Sequence, residues 1–247
     1  MGPCTMSITR LAPLLLLLVT ACSPIALSPA IRSVPLETAA TAREGHVVMR
    51  AGGGYHGDAW GTNVDVGSGG VGVGVAPDVE LQVEGSFAYD DTIAHGTRSL
   101  SPFVGAGRIG IKHRLLDCLA VTGGLGAGSG PWGAFGGGDL GVILAYENPY
   151  AVPFFAARMQ LSLPINAQTE TLLDHNSSGT TTTLLTPDAT FWFQPSTGVR
   201  VPLCWNDGCD GTRVSLVLAI AWTQIVQVNA PHDGGAFGIE GGILIEP

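Results

Sequence analysis

Apolar side chains alternate one for one with small or polar side chains from about Gly45 to Glu246. The alternation comes in segments of roughly ten residues that are separated by turn residues. Because successive side chains of a β-strand point to opposite faces, a period of two predicts strands with one apolar face and one polar face. We therefore expect an all-β fold, and 247 residues suffice for one large domain of that class.

The pattern predicts ten antiparallel strands. Eight strands are the alternative, because Pro195 lies inside one segment and removes a ladder hydrogen bond there. The ten segments are His46–His56, Ser68–Ala76, Val79–Tyr89, Pro102–Arg114, Cys118–Gly128, Ala134–Tyr146, Val152–Leu163, Ala189–Val201, Val214–Val226 and Ala236–Ile245.

The connections between these segments alternate in length. The odd-numbered ones are predicted loops at 57–67, 90–101, 129–133, 164–188 and 227–235. The even-numbered ones are mostly tight turns, at 77–78, 115–117, 147–151 and 202–213. Short turns at one end, longer loops at the other and an even strand count are typical of up-and-down transmembrane barrels, with both chain ends on the periplasmic side.

Composition agrees with a wall that faces lipid. Charged residues make up only 13% of the chain, Lys112 is the sole lysine, and 36 glycines are scattered through the apolar segments. A soluble protein usually carries nearly twice that charge on its surface. The net charge of −9 argues against nucleic acid as a partner, since no basic patch is available to neutralise phosphates. Aromatic residues near segment ends predict interfacial girdles: Tyr55, Trp60, Tyr89, Trp132, Tyr146, Tyr150 and Trp222.

In this general pattern, residues 45–246 resemble the family of small bacterial outer-membrane β-barrel proteins. The resemblance is carried by diffuse repeats such as Gly70-Val-Gly-Val-Gly74 and Gly105-Ala-Gly107. It implies a closed transmembrane barrel, and it implies neither a particular activity nor a cofactor.

The first 21 residues are predicted to be a signal peptide. Arg10 supplies a positive n-region, and Leu11–Val19 is an apolar run that is too short to span a bilayer as a helix. Val19-Thr20-Ala21 leads directly into Cys22, which resembles a bacterial lipobox and predicts lipidation of that cysteine. An ordinary secretory signal is the alternative, and either Met1 or Met6 is the start.

After Cys22, we predict a flexible tether through residue 44 and a barrel domain over 45–247. Ser23–Glu44 is rich in Ala, Ser and Pro and has no sustained apolar period. A lipid on Cys22 is expected in the inner leaflet of the outer membrane, and the loops are expected to face outward.

The remaining cysteines fit an exported protein. Cys204 and Cys209 close a short segment around the turn dipeptide Asp207-Gly208, and we predict a disulfide between them. A metal site is the weaker interpretation, because only two ligands lie close together. Cys118 is expected to be a buried thiol.

The polar faces of the strands predict a cluster of charged groups in the lumen. Glu80 and Glu84 should face Arg108 and Lys112 across the third and fourth strands. Such groups would pair and fill a narrow barrel, and a selective path for a small solute is the alternative. The predicted cluster comprises Arg50, Glu80, Glu84, Arg108, Lys112, Asp139, Arg158 and Glu240.

Other chemistry has little support in the sequence. The predicted loops carry His and carboxylate side chains, but without the close spacing of metal ligands, so we expect no metal and no cofactor: His56, Asp58, Asp90, Asp91, His95, Asp174, His175, His232 and Asp233. No spacing selects a nucleophile and its base, so we expect no enzyme. A barrel enzyme acting on acyl lipids is a third possibility.

The sequence thus predicts a lipid-anchored outer-membrane barrel with a structural or surface-interaction role. Passage of a small solute is a second use of the same architecture. Expected partners are outer-membrane lipid and a solute or external partner at the loops. The rival from another class is a soluble periplasmic lipoprotein, with a lipocalin-like barrel that binds an apolar ligand. In that rival the apolar faces would point inward.

Overall fold

A computed structural model describes residues 28–32, 37–57, 63–90, 102–167, 170–176, 179–185, 187–203, 212–227 and 233–246. The strands are β1 (Val47–Gly57), β2 (Asn63–Ala76), β3 (Val79–Asp90), β4 (Phe103–Leu116), β5 (Leu119–Gly130), β6 (Gly133–Ala145), β7 (Val152–Ala167), β8 (Glu170–Asn176), β9 (Gly179–Leu185), β10 (Thr190–Pro202), β11 (Arg213–Gln227) and β12 (Asp233–Glu246). No helix in these ranges is long and apolar enough to cross a membrane.

Ten strands form a closed antiparallel barrel. Neighbouring strands pair in chain order from β1 to β7, then β7 pairs with β10, and the order continues through β11 to β12. The barrel closes where β12 pairs with β1, in a register that places Met49 opposite Ile245. The predicted ten-stranded up-and-down barrel is confirmed.

Strands β8 and β9 are an addition that the alternation did not predict. They pair only with each other, as an antiparallel hairpin inserted between β7 and β10. The sequence analysis treated 164–188 as a loop, because the threonine run there has no apolar alternation.

We name the two ends of the barrel by their connections. The loop end holds the connections β1–β2, β3–β4, β5–β6, β7–β10 and β11–β12, and the turn end holds the other four. One loop-end connection differs from its prediction: a turn at 131–132 replaces the expected loop 129–133, because the strand pattern continues to Gly130. At the turn end, 203–212 is the longest connection.

The proline in β10 removes ladder pairing, as the sequence predicts. Pro195 pairs with Ala157 of β7, but the ladder to β11 is interrupted between Phe193 and Ser196. Proline lacks the N–H that this side of the strand would donate. The interruption is confined to one side, so the barrel still closes.

The alternation separates two chemically different faces. On β3, Val83 and Phe87 point outward and are 55% and 57% exposed, whereas Glu80 and Gln82 point inward and are fully buried. On β11, Leu218 is outward and exposed, whereas Val217 and Ala219 are buried. The apolar faces therefore form the outer wall, and the lumen is polar over much of its length.

The turn end of the lumen contains an apolar cluster. Ala120, Ile143, Phe154 and Val217 are buried there together with Ala39, which lies outside the ten strands. The core of the protein is thus the interior of the barrel, and the chain before β1 contributes to it.

Closure predicts resistance to detergent. We expect the protein, extracted in sodium dodecyl sulfate without heating, to migrate differently from a boiled sample, because a closed barrel has no edge strand from which to unravel. Electrophoresis with and without boiling measures this. Identical mobility in both lanes would contradict a closed barrel that is stable in detergent.

Candidate functional site

The eight charged residues that were predicted to lie in the lumen are buried in the structure. Arg50 and Glu84 have side chains that are about one-tenth exposed, and the others are almost inaccessible. All eight lie on the inner face of the barrel: Arg50, Glu80, Glu84, Arg108, Lys112, Asp139, Arg158 and Glu240.

Strand register brings opposite charges together. Glu80 lies directly across from Lys112, and Glu84 lies directly across from Arg108. Arg50 of β1 also bonds to Glu80. Because buried charges are costly without partners, this arrangement of adjacent opposite charges stabilises the polar interior.

Arg108 is the centre of the network. Its Nε lies 2.6 Å from Asp139 Oδ1, and a terminal nitrogen lies 2.9 Å from Asp139 Oδ2, which is the two-pronged geometry of a strong charge-assisted pair. The other terminal nitrogen donates to Gln82 at 3.1 Å and approaches Glu84 at 3.4 Å. One guanidinium thus links β3, β4 and β6 across the lumen.

A second polar group lies nearer the loop end. His56 Nε2 lies 3.1 Å from Glu240 Oε1, and Gln194 donates to the same oxygen at 3.4 Å. The sequence analysis placed His56 at the end of the first strand and grouped it with the polar residues of the loops. The structure confirms the strand position, but the side chain is only 7% exposed and points into the lumen. Within the described ranges, no group of three His, Cys, Asp or Glu residues is placed to hold a metal ion.

The main feature that sequence analysis missed is a segment inside the barrel. We call residues 28–32 and 37–46 the plug segment. Ser28, Ile31, Arg32, Glu37 and Ala39 are each at most 3% exposed, and they contact the inner wall rather than solvent. The flexible tether expected over residues 22–44 therefore differs from the structure over residues 28–32 and 37–42, whereas Arg43 and Glu44 are exposed.

The plug segment brings its own charges into the wall network. Arg32 bonds to Glu37 within the segment and to Glu84 of β3. Lys112 donates to the backbone oxygen of Ala40, and Nζ lies 3.9 Å from Glu37. The segment therefore supplies partners to wall groups of both signs.

Glycines on the inner wall make room for this segment. A Cβ atom at Gly74 would lie 2.1 Å from the backbone oxygen of Arg43. A Cβ atom at Gly126 would lie 3.2 Å from the Ile31 side chain and 2.6 Å from the Gly107 oxygen. Glycine is needed at these positions because backbone approaches backbone there.

Little open space remains beside the segment. A cavity of about 20 Å³ lies between Arg32, Arg50 and Glu84, close to the size of one water molecule. At this level the lumen is filled by side chains and by the plug segment.

Two further residues differ from their predicted burial. Cys118 was expected to be buried, but it is an exposed free thiol, because β5 begins at Leu119 and Cys118 lies in the turn before it. Trp132 was expected in an aromatic girdle, but it is 6% exposed. Cys22, Cys204 and Cys209 lie outside the described residues, so lipidation and the disulfide remain predictions.

Comparison with known proteins adds little beyond the fold. No family model and no curated protein matches the sequence. Among solved structures, the chain is similar to the β domain of the Bordetella autotransporter BrkA (12% identity, 81% of this chain and 98% of that chain, TM-score 0.45). It is also similar to Neisserial surface protein A (12% identity, 81% of this chain and 94% of that chain, TM-score 0.35). A third similar structure is the outer membrane protease OmpT from Escherichia coli (11% identity, 81% of this chain and 93% of that chain, TM-score 0.32). Such distant similarity carries no argument about function.

The network predicts a large difference between two arginines of β4. Arg108→Ala leaves Asp139 buried without its partner and should lower the free energy of unfolding by about 3–5 kcal/mol. Arg114→Ala is the control: its pair with Asp78 is more than one-third exposed, so the loss should be about 0–1 kcal/mol. Urea unfolding of the refolded proteins measures both. Equal losses would contradict a central role for Arg108.

Proposed function

We propose that this protein is a lipid-anchored β-barrel of the bacterial outer membrane, filled by its own N-terminal segment, with a structural or surface-interaction role. One observation carries the proposal: the polarity of the barrel is inverted relative to a soluble protein. Large apolar side chains are exposed on the outside, and charged side chains are buried inside.

The exposed wall supports a lipid environment. Ile109, Leu125, Leu140, Leu218 and Ile239 are each at least 60% exposed, and they lie on β4, β5, β6, β11 and β12. Contiguous apolar surface around a whole barrel is not compatible with water, and soluble monomers rarely expose such patches. A bilayer is the solvent in which this surface is stable.

The soluble lipocalin-like alternative does not fit this arrangement. A barrel that binds an apolar ligand needs an apolar internal cavity and a charged outer wall. Here the interior carries paired charges such as Arg108 with Asp139, and the plug segment occupies it.

Aromatic side chains at both rims agree with membrane interfaces. At the loop end, Tyr55 is half-exposed, and Tyr89 packs on Phe103 with ring centroids 5.0 Å apart. At the turn end, Tyr146 and Tyr150 are both exposed by about two-thirds. Girdles of this kind border the apolar band of outer-membrane barrels.

The cellular location follows from physical constraints and from the predicted export signal. A membrane-spanning sheet must be closed, and closed barrels with an even strand count are characteristic of bacterial outer membranes. This proposal includes a lipid on Cys22, loops that face outward and an external partner at the loops. Catalysis is not part of it.

A substitution on the outer wall tests the lipid environment. Ile109→Arg places a charge at mid-strand, where lipid should make it cost about 2–4 kcal/mol, whereas Leu116→Arg at the turn end should cost about 0–1 kcal/mol. The two residues lie on the same strand and are almost equally exposed, at 62% and 60%. Unfolding in lipid vesicles measures the difference. If both variants match the unsubstituted protein, the wall does not face lipid.

Solute passage is the second candidate function, and it would be detected as an ion current in planar bilayers. In planar bilayers we expect no steady ion current through the wild-type protein, because the plug segment occupies the lumen. Arg32→Ala should give brief openings, since it removes the cation that holds the segment to Glu84. Arg114→Ala is the control and should stay closed. A steady wild-type current would contradict a filled barrel.

A further inference from the structure

The plug segment passes through the barrel in a direction that its contacts define. Its contacts can be followed from one end of the lumen to the other, because each wall residue has a known height on its strand. Three groups of contacts mark the path.

Ser28 lies at the loop end. Its backbone N–H donates to Thr190 Oγ1 at 3.1 Å, and its backbone oxygen accepts from Trp192 Nε1 at 3.1 Å. Thr190 is the first residue of β10 and follows the β7–β10 connection. Pro29 lies against Gly130, the last residue of β5, which precedes another loop-end turn.

Arg32 lies near mid-height. Gln160 of β7 bonds to its backbone twice, accepting from the N–H at 3.2 Å and donating to the carbonyl at 3.0 Å. Ser86 of β3 donates to the carbonyl oxygen of Ile31 at 3.3 Å. These bonds satisfy backbone groups that would otherwise be buried without partners, so the segment is held in place here and does not merely occupy space.

Ala42 lies at the turn end. Its N–H donates to Glu80 at 2.8 Å, and Glu80 is the second residue of β3 after the tight turn. Gly45 N–H then donates to the Gly74 oxygen at 2.8 Å, and Gly74 N–H donates to the His46 oxygen at 3.0 Å. From there the chain turns back into β1.

We propose that the chain threads its own barrel from the loop end to the turn end, so that whatever precedes Ser28 leaves the barrel on the side of the loops. Cys22 is six residues before Ser28, and an extended chain of that length reaches at most about 20 Å. A lipid on Cys22 therefore enters the leaflet on the loop side, opposite to the inner leaflet expected from the sequence.

The filled lumen supports this direction. A return of the N-terminal residues to the turn end would need a second passage through the lumen, and the cavity beside Arg32 has room only for about one water molecule. A return along the outside would place unpaired backbone groups in lipid, which is strongly unfavourable. The loop end is the remaining exit.

The loop-side rim also suits acyl chains. Phe103 and Phe237 are 61% and 56% exposed on the outer wall, near the loop-side ends of β4 and β12. In the barrel order β12 is two strands from β10, so the surface at Phe237 is the nearer of the two to a chain that leaves the lumen beside β10. The inference rests on the proposed membrane barrel with outward loops.

Epitope insertion in intact cells tests the proposal. The same short tag is inserted between Ile25 and Ala26, between Ile93 and Ala94 in the β3–β4 connection, or after Asp78 in the β2–β3 turn. Antibody binding is compared before and after permeabilisation, for variants that keep the heat-dependent gel shift. We expect the first two tags to be detected on intact cells and the Asp78 tag only after permeabilisation.

The three positions separate two kinds of failure. If the tag at 93 is detected on intact cells but the tag at 25 only after permeabilisation, the threading proposal is overturned while the outward loops stand. If the Asp78 tag is detected on intact cells and the tag at 93 is not, the proposed orientation fails instead.

A cross-link in the untagged chain provides a second measurement. The double variant S28C/T190C should form a disulfide that peptide mapping detects, because Ser28 and Thr190 are in hydrogen-bond contact. The control A42C/T190C should not, since Ala42 lies at the turn end with Glu80. A disulfide in the control and none in S28C/T190C would overturn the proposed direction.

Discussion

The fold depends on the neutralisation of charge inside a barrel whose outside is apolar. The wall groups named above comprise four cations and four anions, and the plug segment adds Arg32 and Glu37, one of each sign. Inside a low-dielectric barrel an unpaired charge is far more costly than on a surface. The pairing of Arg108 with Asp139 and of Arg32 with Glu84 is therefore a condition for the closed structure. It also fixes the relative heights of strands and segment.

The sequence was sufficient for the architecture because period-two alternation is a local property. The polar faces of β3 and β4 identified Glu80, Glu84, Arg108 and Lys112, and strand adjacency placed them opposite one another. The plug segment could not be found in this way, since a chain that lies in a lumen has no period of its own. One signal was present: Arg32 and Glu37 are the only charged residues between Arg10 and Arg43, and the small residues from Thr38 to Ala42 fit a narrow interior.

Glycines of the inner wall have a specific structural role. Glycine in a strand permits bending and close packing, and here Gly74 and Gly126 lie directly against the plug segment. The inner wall is thus shaped to the segment, in the way that a protein core is shaped to its own side chains. This fit, together with the two backbone bonds from Gln160, indicates that the segment belongs to the folded state rather than to a mobile anchor.

The position of the plug segment constrains the order of assembly. The chain before β1 crosses the lumen, and β1 is also the strand that pairs with β12 to close the cylinder. Once that seam has formed, a segment cannot enter sideways, and the glycine-lined interior leaves little room for it to be drawn through lengthwise. The filled interior therefore favours an order of assembly in which residues 28–32 and 37–42 lie against the inner faces of the strands before β12 pairs with β1. In that order the barrel closes around the plug segment.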